Sequence, residues 1–403
     1  MKEAVYAVLL HGEHVASIQR RDRFTKLVFD RDYWERPERM VLGRWFEDHP
    51  RRQPHATDQV PAWFSNLLPE GRLREIIARD QKVNVHQEID LLERIGDDLP
   101  GAVAVVSDPE ATATADMSDV VENEEPAQTR GLLRFSLAGM AVKFSLREEG
   151  DRMTLPAHGE DGDWIVKIPS VSYPNLPANE HTVMGLARKV GIDVPQTMLR
   201  TRDAIDDLGP GAWVSDEDQA YSIRRFDRSA SGRIHIEDFA QVLGRYGAGA
   251  GKYQSNMETV AGLAYRGQDH VSLQEVVRRT VFNLLVGNND AHLKNWSLIY
   301  PDGRRARLSP AYDLVCTGVY LPSAENPELG LPFFGARQLE DVTREHFAEL
   351  QKKLAVGTAD VLDVVDDTVE RFFGLREEID AVPSPVRAWI TERMEQTAHR
   401  LRH

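Results

Sequence analysis

An apolar segment that ends abruptly in a polar cluster constrains this chain more than any other feature. The segment covers residues 281–297 and reads VFNLLVGNNDAHLKNWS. Its first half is apolar, and a turn follows at Gly287. The polar side chains after the turn belong to Asp290, His292, Lys294 and Asn295. Because binding and catalytic groups commonly stand on loops at the ends of rigid elements, we expect the functional site here.

The spacing within this cluster predicts phosphoryl-transfer chemistry. Asp290 and Asn295 are five residues apart, the interval between the base aspartate and the metal-binding asparagine of a kinase catalytic loop. Asp313 follows in the apolar run LSPAYDLV, after a turn at residues 301–303, where kinases carry an aspartate that holds Mg²⁺. Taken alone, Asp313 would more often be a cap or a solvated loop residue. The order and spacing of the three together favour a kinase-like site.

Length, charge and cysteine content narrow the class of protein. A chain of 403 residues is too long for one compact core and predicts two or three domains. The net charge of −15 argues against a surface that binds nucleic acid throughout, although it leaves room for a local basic patch. Cys316 is the single cysteine, so we expect no internal disulfide, a reducing compartment and a small core residue at this position. No apolar run approaches a membrane span, and we expect a soluble cytoplasmic protein without membrane contact.

The first quarter of the chain predicts a small α+β subdomain, residues 1–106. Residues 4–29 alternate as strands, residues 62–78 have a helical pattern that Pro69 and Gly71 interrupt, residues 89–95 predict a short helix, and LPGAVAVV predicts a buried strand. Residues 107–129 follow, with seven acidic residues and no Lys or Arg. This composition predicts a solvated acidic linker or a mobile loop and not a core element.

Residues 130–230 predict a β-rich lobe with features of a nucleotide site. The run RFSLAGMAVKFSL predicts a hairpin whose small tip residues, Ser136, Ala138 and Gly139, could cradle phosphates with backbone N–H groups. An ordinary hairpin fits the same pattern. Lys167 lies in the apolar strand DWIVKIPS and needs a partner there. Glu180, in a helix that Asn179 is expected to cap, can supply it, as in the kinase Lys–Glu pair.

Residues 231–403 predict a helical lobe, with amphipathic runs at about 272–286, 344–355, 358–374 and 384–402. A short hinge is expected at residues 226–228, with the adenine beneath it. The glycine-rich stretch 244–256 lacks the Lys-Ser/Thr of a Walker motif, so we interpret it as a flexible loop. The predicted fold class is α+β: a two-lobed protein-kinase-like fold, with a β-rich N-lobe, a helical C-lobe and an N-terminal α+β subdomain.

The sequence resembles the HipA family of serine/threonine kinases, the toxin components of bacterial HipBA toxin–antitoxin modules. The resemblance extends over nearly the whole chain. It rests on the motifs FSNLLPEG (64–71), RIGDDLPGA (94–102), SLAG…K (136–143), IVKIPS (165–170), NE (179–180), RRFDR (224–228), IEDFAQVLG (236–244), GNNDAHLKN (287–295) and LSPAYDL (308–314).

The resemblance implies a role for each matching residue. Asp290 would be the catalytic base, Asn295 and Asp313 the Mg²⁺ ligands, and Lys167, paired with Glu180, the phosphate clamp. The hairpin from residue 136 to residue 143 would be the phosphate loop, with Ser136 as the autophosphorylated serine. The implied ATP-binding residues are Ser136, Ala138, Gly139, Lys143, Lys167, Phe226 and Asn295. Ala141 stands where the family usually has Gln, which weakens any argument from a side-chain contact there.

The implied function is that of an ATP- and Mg²⁺-dependent serine/threonine kinase acting as a toxin. Its partner would be a small helix-turn-helix antitoxin similar to HipB, with DNA reached only through that antitoxin. The protein substrate would be a translation component such as glutamyl-tRNA synthetase. A catalytically silent co-repressor module is the alternative, and a metal-dependent hydrolase built on Asp290 and His292 lacks a convincing second ligand cluster. For His292 a packing role is favoured, whereas Lys294 could offset phosphate charge or be solvated.

Overall fold

The computed structural model describes residues 3–118, 120, 142–156, 160–206, 208–209, 211–322 and 326–403. The chain begins with an antiparallel five-stranded sheet in the order β4-β3-β2-β1-β5. Its strands are β1 Glu3–Leu10, β2 Glu13–Arg21, β3 Phe24–Phe29, β4 His55–Thr57 and β5 Val103–Ser107. The helices of this subdomain are α1 Arg31–Glu35, α2 Arg44–Asp48, α3 Ala62–Ser65, α4 Gly71–Asp80 and α5 Glu88–Ile95. They enclose a separate hydrophobic core with the sheet, as expected for the N-terminal subdomain.

The interrupted helical pattern of residues 62–78 is confirmed as two helices, α3 and α4, with a non-helical segment between them. Pro69 offers no backbone N–H, and Gly71 has a φ of +55°, in the left-handed region that favours glycine. This interruption allows residues 66–70 to turn away from the helix axis, toward the rest of the chain.

The expectation that residues 107–129 contain no core element is wrong for the part that the structure describes. Helix α6, Pro109–Thr114, is capped by the side chain of Asp108. Beyond it, Met117 and Val120 are buried against Val5 of the first sheet. Small and apolar residues between the acidic ones supply the buried contacts, which a count of charges does not detect. Residues 121–141, and with them Ser136, Ala138, Gly139 and Ala141, lie outside the described residues.

A second five-stranded sheet has the order β7-β6-β8-β10-β9. Its strands are β6 Lys143–Glu149, β7 Arg152–Thr154, β8 Trp164–Lys167, β9 Thr197–Thr201 and β10 Gln219–Arg224. Helix α7, Leu176–Val190, crosses between β8 and β9 and ends at Gly191, whose φ is +98°. The expectation that Asn179 caps this helix is wrong. Pro177 occupies the first turn, where its missing N–H costs nothing, so the helix begins earlier and Asn179 is buried inside it.

The rest of the chain is largely helical, with short strands beside the predicted site. The elements are β11 Arg228–Ser229, β12 Gly232–Arg233, β13 His235–Asp238, α8 Phe239–Val242, α9 Met257–Ala264, α10 His270–Val286, β14 Ser297–Tyr300, β15 Arg307–Leu308, β16 Glu328–Phe333, β17 Ala336–Gln338, α11 Arg344–Leu354, α12 Leu362–Phe373, α13 Arg376–Asp380 and α14 Ser384–Arg402. Helices α10, α11, α12 and α14 confirm the predicted helical runs. The largest core joins them to α7, so the site lies between the second sheet and the helices.

Among the helices in the described ranges, each is too short or too polar to cross a membrane.

Candidate active site

The loop after α10 is fixed at its start by close packing and side-chain hydrogen bonds. Gly287 has a φ of +71°, and a Cβ at this position would collide with the ring of Trp389, so only glycine fits. The buried Asn288 side chain donates to Oδ1 of Asn283 in α10 at 3.0 Å. Its own Oδ1 accepts a hydrogen bond from the backbone N–H of Asp290 at 3.2 Å. The polar cluster therefore stands on a fixed turn at the end of a buried helix.

Asp290 is a half-buried carboxylate with one strong hydrogen-bond donor. The hydroxyl of Tyr253 donates to its Oδ1 at 2.8 Å. Its backbone carbonyl accepts from Nδ2 of Asn295 at 2.9 Å, which ties the two residues predicted to act together. Burial raises the pKa of Asp290 to about 6, despite the opposing effect of the Tyr253 hydrogen bond. A carboxylate with a pKa close to neutral is suited to accept and release a proton.

Lys167 joins the second sheet, helix α7 and the segment of Asp313. Its Nζ lies 2.6 Å from a carboxylate oxygen of Glu180 and also donates to Asp313. Burial would raise the pKa of Asp313, but the charges of Lys167 and Lys143 outweigh it and hold that pKa at about 2. Burial also raises the pKa of Glu180, to about 7. The predicted Lys–Glu contact is present, and Asp313 is a second partner that the sequence did not indicate.

Asn295 and Asp313 line the same small cavity behind the loop, together with Asn283 and Tyr312. The Asn295 amide nitrogen is occupied by Asp290, which leaves its carbonyl oxygen as a donor atom for a metal. One ionised carboxylate and one amide oxygen fit Mg²⁺, which commonly takes few protein ligands beside phosphate oxygens and water. In the described part of the chain, no group of three or more His, Cys, Asp or Glu residues could hold a metal ion. The hydrolase alternative therefore lacks its ligand cluster there.

Phe226 and Lys143 flank this region on the side of the second sheet. The Phe226 ring lies 5.8 Å from the ring of Tyr312, with an angle of 30° between their planes. Lys143 begins β6 directly opposite Lys167 in the strand ladder. Beside Phe226, the carboxylate of Asp227 accepts a hydrogen bond of 2.8 Å from the backbone N–H of Gly101 in the N-terminal subdomain. The segment expected to be a hinge therefore also anchors that subdomain.

The side chains of His292 and Lys294 lie in different environments. His292 is buried with its ring against Tyr253, at 5.3 Å between centroids. Burial lowers its pKa to about 3, so it is neutral, in agreement with the packing role. Lys294 is not solvated. Its Nζ donates to the backbone carbonyl of Asn66 at 2.9 Å and lies 3.2 Å from Glu70. It therefore points toward the N-terminal subdomain.

The interpretation of residues 244–256 as a flexible loop is wrong. Lys252 is 3% exposed, and Tyr253 reaches Asp290. The backbone N–H of Gly247 donates to Oδ1 of Asn66 at 3.0 Å, and a Cβ on Gly247 would collide with that oxygen. The glycines permit close backbone approach here and do not provide flexibility. The sequence signal that could have indicated this contact is the joint occurrence of the glycine-rich stretch and the motif at residues 64–71 in one chain.

Comparison with known proteins places these features in a family. A model of the HipA-like C-terminal domain matches residues 135–374, and a model of the HipA N-terminal domain matches residues 6–106. "Putative kinase Y4dM" of Sinorhizobium fredii is 38% identical over 381 residues, which is 92% of this chain and 91% of that protein. The serine/threonine-protein kinase toxin HipA of Shewanella oneidensis is 27% identical over 298 residues, which is 66% of this chain and 64% of the toxin.

A solved structure supports the predicted architecture. The chain from the Shewanella oneidensis complex of HipA, HipB and operator DNA superposes with a TM-score of 0.73, covering 98% of this chain and 96% of that one at 19% identity. At this identity the likeness concerns the fold, and it confirms the predicted kinase-like α+β fold. The model of the HipA-like C-terminal domain alone matches more than half of the chain by sequence. The family assignment therefore does not depend on the comparison of folds. The chain belongs to the HipA family.

Proposed function

We propose that this chain is an ATP- and Mg²⁺-dependent serine/threonine protein kinase that acts as the toxin of a type II toxin–antitoxin module. The observation that carries the proposal is the position of Asp290, Asn295 and Asp313 around one loop, with Lys167 joined to both Glu180 and Asp313. These are the parts that phosphoryl transfer requires, since it depends on positioning and charge neutralisation more than on covalent chemistry.

Each residue has one task in the proposed reaction. Asp290 accepts the proton of the attacking hydroxyl, and its pKa of about 6 keeps it mostly ionised at neutral pH. Asn295 and Asp313 hold Mg²⁺, which when bound supplies charge neutralisation at the phosphates. Lys167 contacts the phosphates, and Glu180 keeps it in place. Lys143, Phe226 and the loop with Ser136, Ala138 and Gly139 complete the proposed ATP site, with Ser136 as the site of inactivating autophosphorylation.

The proposed partner is a small helix-turn-helix antitoxin similar to HipB. The related Shewanella oneidensis protein was solved together with HipB and operator DNA. The net charge of −15 is unfavourable for direct DNA binding, so we propose that DNA is reached through the antitoxin. The proposed substrate is a translation component such as glutamyl-tRNA synthetase, which rests on the family resemblance alone.

Phosphotransfer by the purified chain tests the proposal. Incubation with labelled Mg·ATP and a translation extract is expected to produce a labelled protein, and the Asp290→Asn variant is expected to produce none. Expression of the wild type should slow growth, whereas the variant should not. Release of free phosphate without a phosphoprotein would contradict the kinase assignment. A chain that binds a helix-turn-helix protein but never transfers phosphate would instead support the silent co-repressor.

A further inference from the structure

We propose that the N-terminal subdomain positions the catalytic base. Residues 66–70, here called the anchor segment, hold residues 247–253, here called the support loop, and the support loop holds Asp290. The inference rests on the proposed function, because it assigns a role to residues that act through the base. It gives a catalytic purpose to the motif at residues 64–71 of the N-terminal subdomain.

Asn66 is the first link, since it fixes the backbone of the support loop. Its Nδ2 donates to the carbonyl of Arg245 at 2.7 Å, and its Oδ1 accepts from the N–H of Gly247 at 3.0 Å. Both partners are backbone groups close together in the chain, so one buried amide sets the position and the direction of the loop at its start. The backbone carbonyl of Asn66 also accepts a hydrogen bond from Nζ of Lys294, at 2.9 Å.

Glu70 is the second link, and it neutralises two lysines. Its carboxylate lies 3.2 Å from Nζ of Lys294 and 3.5 Å from Nζ of Lys252. Burial would raise the pKa of Glu70, but the charges of Lys294 and Lys252 hold it at about 2, so the carboxylate is always ionised near neutral pH. Within the described ranges, Glu70 is the only carboxylate within 4.0 Å of the Lys252 ammonium. Without Glu70, the ammonium of Lys252 would be a nearly buried charge with no carboxylate beside it. Movement of the Lys252 side chain toward solvent would then be favoured.

Tyr253 is the last link, and it touches the base itself. It follows Lys252 directly, in the short 3-10 helix Gly251–Tyr253, so the two side chains move together. Its hydroxyl donates to Asp290 at 2.8 Å, and its ring packs against His292 of the same catalytic loop. A shift of the support loop would therefore remove a hydrogen bond from the carboxylate and a packing surface from its neighbour.

The test compares two variants with matched controls. Tyr253→Phe removes only the hydroxyl, and Glu70→Gln removes only the charge. Tyr265→Phe and Glu75→Gln are the controls, since within the described residues neither the Tyr265 hydroxyl nor the exposed Glu75 carboxylate makes a hydrogen bond or ion pair. We expect both test variants to lower kcat about ten-fold, with little change in the KM for ATP. A ten-fold change corresponds to the loss of one hydrogen bond to a charged group. Both controls should match the wild type in kcat and in KM.

Hydrogen exchange gives a second measurement that does not depend on activity. Glu70→Gln is expected to speed exchange in residues 247–253 and 287–295, while exchange in the rest of the chain stays close to that of Glu75→Gln. Unchanged exchange in residues 287–295 of Glu70→Gln would overturn the positioning role. So would an unaltered kcat in Tyr253→Phe. A wild type without phosphotransfer would refute the proposed function instead, and the exchange experiment would still decide whether the two subdomains are coupled.

Discussion

The ammonium group of Lys167 lies 2.6 Å from Glu180 and also donates a hydrogen bond to Asp313, so one buried cation serves two carboxylates from different parts of the chain. Glu180 belongs to helix α7, and Asp313 follows the last strand of the small sheet beside the catalytic loop. The β-rich lobe and the helical lobe are thereby joined at the point where phosphate is expected to bind.

Removal of this cation should destabilise the fold. In Lys167→Met the carboxylates of Glu180 and Asp313 lose their common partner, and we expect the free energy of unfolding at pH 7 to fall by about 3–5 kcal/mol. Lys189→Met is the matched control, because its ion pair with Glu378 is exposed and should contribute little to stability. Denaturant titrations measure both. Equal losses in the two variants would contradict a special role for the buried pair.

The same variant has a defined pH dependence. Burial raises the pKa of Glu180 to about 7 and Lys167 opposes this rise, so in Lys167→Met the pKa should rise further and the folded variant should bind the proton more tightly than the wild type does. Protonation of Glu180 therefore stabilises the folded state at low pH. This stabilisation is lost as the pH rises through the pKa of Glu180 in the folded state. The deficit of Lys167→Met should therefore shrink between pH 8 and pH 5.5. A deficit that grows on acidification would be inconsistent with an unpaired carboxylate.

Asp290→Asn should remove catalysis and spare binding. Loss of a general base lowers the rate about 10²–10⁴-fold, whereas the Asn side chain can still accept the hydrogen bond from Tyr253. ATP affinity by calorimetry and the unfolding temperature should remain near those of the wild type. Asp302→Asn, in an exposed turn, controls for the substitution itself. Phosphotransfer by Asp290→Asn at more than a few per cent of the wild-type rate would exclude Asp290 as the base.

The rate of the wild type should report the ionisation of Asp290. Because the base acts only when deprotonated and its pKa is about 6, kcat/KM should rise through pH 6 and level off above it. His292 lies in the same loop, but burial lowers its pKa to about 3, so its titration falls outside this range. A profile measured from pH 5 to pH 8 that shows no acid limb would contradict the assignment.

Asp313→Asn should weaken Mg·ATP binding. Asp313 has a φ of +56°, in the left-handed region that asparagine tolerates, so the substitution removes charge without new backbone strain. We expect the affinity for Mg·ATP to fall about ten-fold or more, since loss of even a group that orients a metal ligand typically lowers metal affinity about 10–100-fold. Calorimetry with and without Mg²⁺ separates the metal effect from ATP binding. An equal loss without Mg²⁺ would argue against a metal ligand.

Autophosphorylation of Ser136 should switch the kinase off. A loop held over ATP by backbone donors is only marginally docked, and a phosphate adds about −1.5 to −2 charges at neutral pH. Repulsion from the nucleotide and Asp313 should displace the loop. Mass spectrometry is expected to find phosphate on Ser136 in the wild type and not in Asp290→Asn, with ATP affinity falling as the modification accumulates. Full ATP affinity in stoichiometrically modified protein would exclude this mechanism.

The parts of the site that lie close together in the chain were predictable. Asp290 and Asn295 are five positions apart, and in the structure the Asn295 side chain donates a hydrogen bond to the Asp290 carbonyl. Lys167 was recognisable as a cation that needs a partner, since it stands in an apolar strand, and the following helix supplied Glu180. Local spacing and burial patterns thus determined the chemistry expected of the chain.

The support for the catalytic base was decided only by tertiary structure. Asn66 meets Gly247 across 181 residues and Lys294 across 228 residues. The hydrophobic periodicity of the sequence does not indicate such a contact, because the contact depends on how the N-terminal subdomain packs against the helical lobe. For the same reason the glycines of residues 244–256 looked flexible, whereas in the folded chain they allow close backbone packing. The sequence alone predicted the groups of a phosphoryl-transfer site, and the packing of distant segments decided what holds those groups in place.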